Sequence, residues 1–170
     1  MERVRCEVAS PIDPLTLIAE GDVLVGVRFA DGGGRRWFRG DKEIGVDDAN
    51  PVLIRARQQL TEYFAGMRQQ FDLPLKIEGD DFRRRVWAEL QSIPYGTTVS
   101  YGDVAAWLGD RRLAQSVGQA VGANPLPIVI PCHRVVGADG TLTGFGDSLD
   151  RKRFLLELEE PAEIAAARLF

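Results

Sequence analysis

Two apolar, β-rich runs, Leu15-Thr-Leu-Ile-Ala19 and Val23-Leu-Val-Gly-Val-Arg-Phe29, are separated only by Glu20-Gly-Asp22. Runs split by a short glycine-containing turn predict a β-hairpin. This pair constrains the chain more than any other stretch, because an isolated hairpin is marginal in water and needs further strands or a helix to cover it. Both are close by. Val4–Ala9 predicts an edge strand ahead of Pro11. Asn50-Pro51 reads as an N-cap and first helical residue, and Leu53, Ala56, Leu60 and Phe64 follow at helical spacing until Gly66. Asp31-Gly-Gly-Gly-Arg-Arg36 is a loop, and residues 37–50 are polar and mixed. The first part of the chain is therefore expected to be a small sheet with one helix. Nothing in it looks catalytic, and Cys6, beside charged residues in a strand, reads as structural or incidental.

Phe71-Asp-Leu-Pro-Leu-Lys-Ile77 reads as a linker or closing strand. The boundary between two units is placed there: residues 1–76 form a supporting α/β unit, and residues 77–170 a mainly helical one, an α/β (α+β) organisation overall. Gly79-Asp-Asp81 caps a helix with Phe82, Val86 and Leu90 on one face and Pro94 beyond its end. Ser100 is an N-cap for a short helix that ends at Gly109, and Asp110 caps a second helix running to about Val121. Two short helices joined by such a turn suggest a helix-turn-helix, though any helical hairpin shares the pattern. In the second helix Ala114, Gly118 and Gly122 recur at i, i+4 and i+8, leaving one face almost without side chains. Glycine disfavours helix by about 1 kcal/mol relative to alanine, so something must approach that backbone closely. Another helix and a nucleic-acid groove satisfy this equally well. A last helix is expected from about Asp150 to Glu160, with Leu149, Leu155, Leu156 and Leu158 partly inward.

Composition narrows the class. At 170 residues, 45% hydrophobic and 27% charged, the chain is an ordinary folded protein of one domain or two small ones. No apolar run approaches the ~20 residues of a membrane span, and the N-terminus lacks a signal-peptide core, so a cytoplasmic protein is expected. Two cysteines and one histidine are too few for a disulfide framework or a cysteine-rich zinc site, and no carboxylate cluster substitutes for them; no metal and no cofactor are expected. The net charge of −4 argues against holding nucleic acid by broad electrostatics. Between Arg83 and Arg153, however, nine basic residues face six acidic ones. Charge alone favours solvated helix faces as the explanation.

The remaining stretch is Ile128-Val-Ile-Pro-Cys-His-Arg-Val-Val136, which places the only histidine, His133, after Cys132. A thiol among apolar residues is usually inert packing. A thiol beside an imidazole can be a nucleophile, because the thiolate is the reactive form. The pair by itself leaves both readings open.

Pro131-Cys-His-Arg-Val135 resembles the active-site signature of the O6-alkylguanine-DNA alkyltransferases. Val99-Ser-Tyr101, Asn124-Pro125, Gly140-Thr-Leu-Thr-Gly144 and Arg151-Lys152…Leu155-Leu156…Glu159 fall at that family's spacing, and Ser10–Leu17 and Val86-Trp87…Ile93-Pro-Tyr-Gly96 are similar to it too. The resemblance covers nearly the whole chain and is strongest from Asp81 to Glu160. It implies a monomer that binds double-stranded DNA through the minor groove, flips a damaged guanine, and moves its O6-alkyl group once onto Cys132. In that pattern His133 takes the thiol proton through a water and Glu159 orients the imidazole, a division of labour like that of a serine triad. Tyr101 donates to guanine N3, and Asn124 ties the recognition helix to the active-site turn. Val121, Pro127, Val135, Phe145, Gly146 and Asp147 border the base pocket. Ser100, Arg111, Arg112, Ala114, Gln115, Ser116 and Gly118 meet DNA, with the small residues entering a minor groove only ~6 Å wide. Arg134 is expected to support the fold.

The chain departs from the family pattern at three positions. Gln115 stands where an arginine usually fills the gap left by the flipped base, so weakened flipping with intact chemistry is expected. Phe145 replaces a frequent tyrosine. Asp147 puts a carboxylate at the pocket rim, which would raise the pKa of Cys132 unless it points to solvent. The competing readings are a sensor of alkylated bases that does not repair them, a helix-turn-helix regulator, and a thiol hydrolase.

Overall fold

A computed structural model describes residues 2–29, 44–142 and 149–164. Strands β1 (Arg3–Val8), β2 (Leu15–Glu20), β3 (Val23–Phe29) and β4 (Gly45–Val46) form one sheet in the order β3-β2-β1-β4. The expected hairpin is β2–β3, antiparallel, with Leu17 opposite Val27 and a register irregularity between Ile18 and Ala19. The first strand is not at the edge as expected. It pairs antiparallel with β2, Cys6 opposite Leu17, and parallel with the two-residue β4, whose brevity hid it from the pattern of the chain. Helix α1 (Pro51–Phe64) is capped by the Asn50 side chain, which accepts from the Val52 and Leu53 N–H groups. It buries Val52, Leu53, Ala56, Leu60 and Tyr63. Gly66, at φ +76°, turns the chain away. Residues 71–77 close along β3 at one point, where Leu24 N–H donates to Pro74 O and Lys76 N–H to Leu24 O.

The second part is helical. Helix α2 (Asp81–Leu90) is capped by Asp80 and buries Val86, Trp87 and Leu90. Helix α3 (Tyr101–Trp107) opens on a reciprocal capping box between Ser100 and Asp103. Asp110 caps a 3-10 turn, Arg111–Leu113, rather than the second helix directly; helix α4 (Ala114–Gly122) follows. Trp87 spans α2 and α4, its Nε1–H donating to Ala120 O at 2.8 Å. Strands β5 (Val99–Ser100) and β6 (Val135–Val136) pair in parallel, fixing the start of α3 beside the 3-10 turn Cys132–Arg134. Helix α5 (Leu149–Glu159) follows; it buries Leu155, while Leu149 is exposed and Leu156 and Leu158 are half-buried.

One apolar core runs through both parts, from Leu15, Leu17 and Phe29 to Val104, Val117, Ile130 and Leu155. Polar ties reinforce it. Arg28, buried on β3, donates to Pro125 O at 3.0 Å, and Val27 N–H donates to the same oxygen at 3.0 Å. Arg151 on α5 binds the Asp13 carboxylate at 2.8 Å and lies over the Phe29 ring. These contacts brace the turn after Asn124 and the helix carrying Glu159.

Candidate active site

Side-chain bonds shape the approach to Cys132 more than regular structure does. Buried Asn124 accepts from Leu126 N–H at 2.9 Å and donates Nδ2–H to Ile130 O at 2.8 Å. Between them Ile128 adopts φ +75°, which a β-branched residue rarely does. Strain of this kind costs on the order of 1–3 kcal/mol and persists where the surroundings over-determine it. The two Asn124 bonds and the burial of Ile128 do so here. The chain then enters the turn that carries Cys132, His133 and Arg134, all buried.

Three side chains from two elements converge on one carboxylate. Glu159, at the end of α5 and 2% exposed, accepts His133 Nε2–H at 2.7 Å on Oε2. Arg134 adds Nε–H to Oε1 at 2.7 Å and an Nη2–H to Oε2 at 3.0 Å. Tyr63 Oη on α1 donates to Oε2 at 2.5 Å. Burial pushes the Glu159 carboxyl up, but hydrogen bonds from His133 and Arg134 and the charge of the Arg134 guanidinium outweigh it and hold the group at about 2. Gly96, at φ +79°, lets the preceding turn press on Glu159, since a Cβ there would lie 3.1 Å from Glu159 O. His133 is fully buried, and desolvation lowers its pKa although Glu159 pulls it up. The contact is thus a neutral imidazole donating to a carboxylate. It leaves Nδ1 as the unprotonated nitrogen, buried and without a hydrogen-bond partner among the described residues.

The thiol itself is 3% exposed, and burial raises Cys132 to about 11. The Asn124 side chain, the charge of Lys152 and the N–H groups of Cys132 and His133 all pull the other way. Lys152 is 1% exposed, donates to Val135 O at 2.6 Å, and is brought down to about 8 by desolvation. A buried ammonium and a buried thiol facing each other favour transfer of charge to sulfur. Charge alone had assigned Arg151 and Lys152 to a solvated face; both are buried. Arg134, expected only to support the fold, also shares Glu159 with His133.

Other expected residues are distributed as follows. Tyr101 is half-buried at the start of α3, and Val121, Pro127 and Val135 are buried around the Cys132 segment. Phe145, Gly146 and Asp147 lie outside the described residues. Ser100 is committed to its cap. Arg111, Arg112, Gln115 and Ser116 are exposed, with Ala114 and Gly118 half-buried on the same short segment. Internal packing does not require the small face of α4. A Cβ at Gly122 would meet nothing within 4 Å, and one at Gly118 would make only ordinary contact with the Tyr101 ring at 3.8 Å. Packing on another helix therefore fails to explain these glycines. A cavity of about 420 Å³ lies between Phe71, Gln91, Tyr95, Ile128 and Arg134. It abuts the back of the carboxylate cluster, and Cys132 does not line it. Among the described residues no three His, Cys, Asp or Glu side chains are grouped to hold a metal ion.

A buried cysteine, an imidazole of the same turn paired with a carboxylate, and a helix-turn-helix beside it make an arrangement that a thiol nucleophile next to a groove-binding element would require. Known proteins agree. Residues 7–77 match the ribonuclease-like domain of 6-O-methylguanine DNA methyltransferase, and residues 81–161 match its DNA binding domain. The methylated-DNA–protein-cysteine methyltransferase of Mycolicibacterium paratuberculosis is 46% identical over 163 residues, 96% of each chain. The crystal structure of Mycobacterium tuberculosis O6-methylguanine methyltransferase superposes with a TM-score of 0.84 at 40% identity, covering 97% of this chain and 99% of that one. Mycobacterium tuberculosis OGT in complex with DNA gives 0.81 at 42%, covering 96% and 98%. The chain belongs to the 6-O-methylguanine DNA methyltransferase family.

Proposed function

We propose that Cys132 is the acceptor through which this chain repairs DNA, taking the O6-alkyl group of a guanine flipped out of the double helix. The observation that carries the reading is the His133 ring, whose Nε2 is held 2.7 Å from Glu159 while Nδ1 is buried without a hydrogen-bond partner among the described residues. In the reaction His133 Nδ1 takes the Cys132 proton through a water. The thiolate attacks the alkyl carbon, a C–S bond forms as the C–O6 bond breaks, and the electron pair stays on guanine. Tyr101 gives a proton to guanine N3. The thioether is not hydrolysed, so each molecule acts once. An sp³ carbon suits a soft sulfur nucleophile, and Lys152 and Asn124 lower the cost of making one at a buried position.

The α4 face supports DNA as the partner. With Gly118 and Gly122 unneeded by the core, a narrow groove can approach their backbone. Extrusion of the base costs a few kcal/mol, less for a poorly paired one. Gln115 fills the vacated space with less surface than an arginine and no charge. Arg112 is held on Asp110 at 3.1 and 3.2 Å and Arg111 lies 3.8 Å from Asp103, so each must leave an acid to reach a phosphate. Ala114 and Ser116 border the same groove, and Val121, Pro127 and Val135 wall the base pocket. The protein acts as a cytoplasmic monomer, with residues 1–76 supporting a DNA-binding and acceptor unit of residues 77–170.

Mass spectrometry after incubation with duplex DNA carrying O6-methylguanine tests the reading. One methyl should appear on the peptide holding Cys132, at one per molecule. An unmodified protein that still binds the DNA would be a sensor, and product accumulating beyond one equivalent would mean a turnover enzyme; either result overturns the proposal.

A further inference from the structure

We infer that Tyr63, carried by helix α1 of the N-terminal part, is a positioning residue of the reaction: its hydroxyl, bonded to the Glu159 oxygen that also receives His133, sets the tautomer and proton affinity of the imidazole. This rests on reading Cys132 as the acceptor and His133 as its base. The first part of the sequence carries no sign of chemistry, yet Tyr63 is fully buried and its Oη lies 2.5 Å from Glu159 Oε2, on which His133 Nε2–H converges at 2.7 Å. The ring cannot drift. Phe64 and Phe71 each stand 5.4 Å from it by centroids, and Tyr95 stands at 6.3 Å.

The chemistry of the base demands such a donor. A buried carboxylate bonded to imidazole alone would draw the ring toward imidazolium, and a charged ring cannot take the thiol proton. Arg134 compensates part of that charge with two bonds. Tyr63 compensates more without adding a charge, because a phenol–carboxylate bond is short and strong. Its proton is secure, since burial and the neighbouring Glu159 charge push the phenol far above its ordinary range. The other groups facing this cluster are otherwise engaged: Tyr95 donates to Leu158 O at 3.2 Å, Lys152 donates to Val135 O at 2.6 Å, and Cys132 is the substrate of the base. Tyr63 thus fixes Glu159 as a weakened acceptor, which keeps His133 neutral, protonated on Nε2 and basic on Nδ1.

His133 is the only histidine, so protein labelled with 15N-histidine reports a single imidazole. The wild-type ring should appear as the neutral Nε2–H tautomer at neutral pH. In Tyr63→Phe, which keeps the packing ring, its titration midpoint should rise by about one unit. The acid limb of the single-turnover rate against pH should rise with it. The rate at neutral pH should fall about tenfold for both duplex DNA and free O6-benzylguanine, with DNA affinity unchanged. A purely structural tyrosine would lower the melting temperature and leave the imidazole midpoint and the pH profile where they were; that result overturns the inference. So does a wild-type ring in the Nδ1–H tautomer, a measurement that needs no variant. Absence of a methyl on Cys132 would instead overturn the reading beneath it.

Discussion

Glu159→Gln separates the charge of the cluster from its shape. The carboxylate offers Oε2 to three donors and Oε1 to Arg134 Nε. Glutamine has one acceptor. With its oxygen at the Oε2 place, the amide nitrogen meets Arg134 Nε, donor against donor, where a 2.7 Å bond stood; flipped, it meets three donors. Arg134 is left as a buried cation without a counter-charge. The carboxyl, raised by burial but held down by His133 and Arg134, sits at about 2 against an ordinary 4.5. A shift of that size corresponds to about 3 kcal/mol of stability at neutral pH, and breaking a buried pair costs on the order of 3–5 kcal/mol. The sign follows from the direction. A carboxyl depressed in the folded state stabilises fully above its unfolded pKa of 4.5, and loses that contribution as pH falls toward 2. The gap between wild type and variant should therefore be widest above that unfolded value and narrow with acid. Urea unfolding at several pH values between about 7 and about 3.5 reads it directly. A gap below about 1 kcal/mol at neutral pH, or one that does not change with pH, would refute the account of Glu159.

Two more outcomes concern the buried site and the exposed face of α4. Lys152→Met should stabilise the fold by about 1–3 kcal/mol at neutral pH, because a buried ammonium is costly, while slowing methyl transfer to Cys132. Its depressed pKa, about 8 against 10.5, makes the wild type gain stability as pH rises from 8 to 10.5, so the variant's advantage should fade across that window in denaturant titrations. Gln115→Arg should speed repair of duplex DNA more than reaction with free O6-benzylguanine, and equal acceleration of both in single-turnover assays would show that residue 115 does not act in flipping.

The sequence carried the elements whose signals are local. The β2–β3 hairpin, the Asn50 and Asp80 caps and the Ser100 cap all rest on residues within a few positions of one another, and each appears as expected. The misplaced β1 edge depended on a two-residue strand beyond a polar stretch, which no pattern announces. The 3-10 turn at Arg111–Leu113 was merged into a helix because Asp110 caps either form equally well. Cys132, His133 and Glu159 were recognisable through resemblance, and their convergence on one buried cluster is a tertiary fact. Tyr63 was unreadable: it sits at core spacing on α1, and only the folded chain brings it to Glu159, 96 positions away.

Arg151 and Lys152 of α5 are a different case, because their signal was present and was assigned to solvent. Arg151, Lys152, Leu155 and Glu159 stand at i, i+1, i+4 and i+8, the spacing of a single inward stripe. Of the four leucines expected inward from hydrophobicity alone, only Leu155 lies on this stripe. Reading position first, the stripe is continuous, and three charged residues on it demand partners inside the protein. The partners found are Asp13 for Arg151, Val135 O and the Cys132 thiol for Lys152, and His133, Arg134 and Tyr63 for Glu159. The same helix therefore anchors the N-terminal part, counters the thiolate and fixes the base. A helix whose inward stripe is charged announces a site more strongly than a cysteine beside a histidine does, because burying a charge costs far more than burying a thiol.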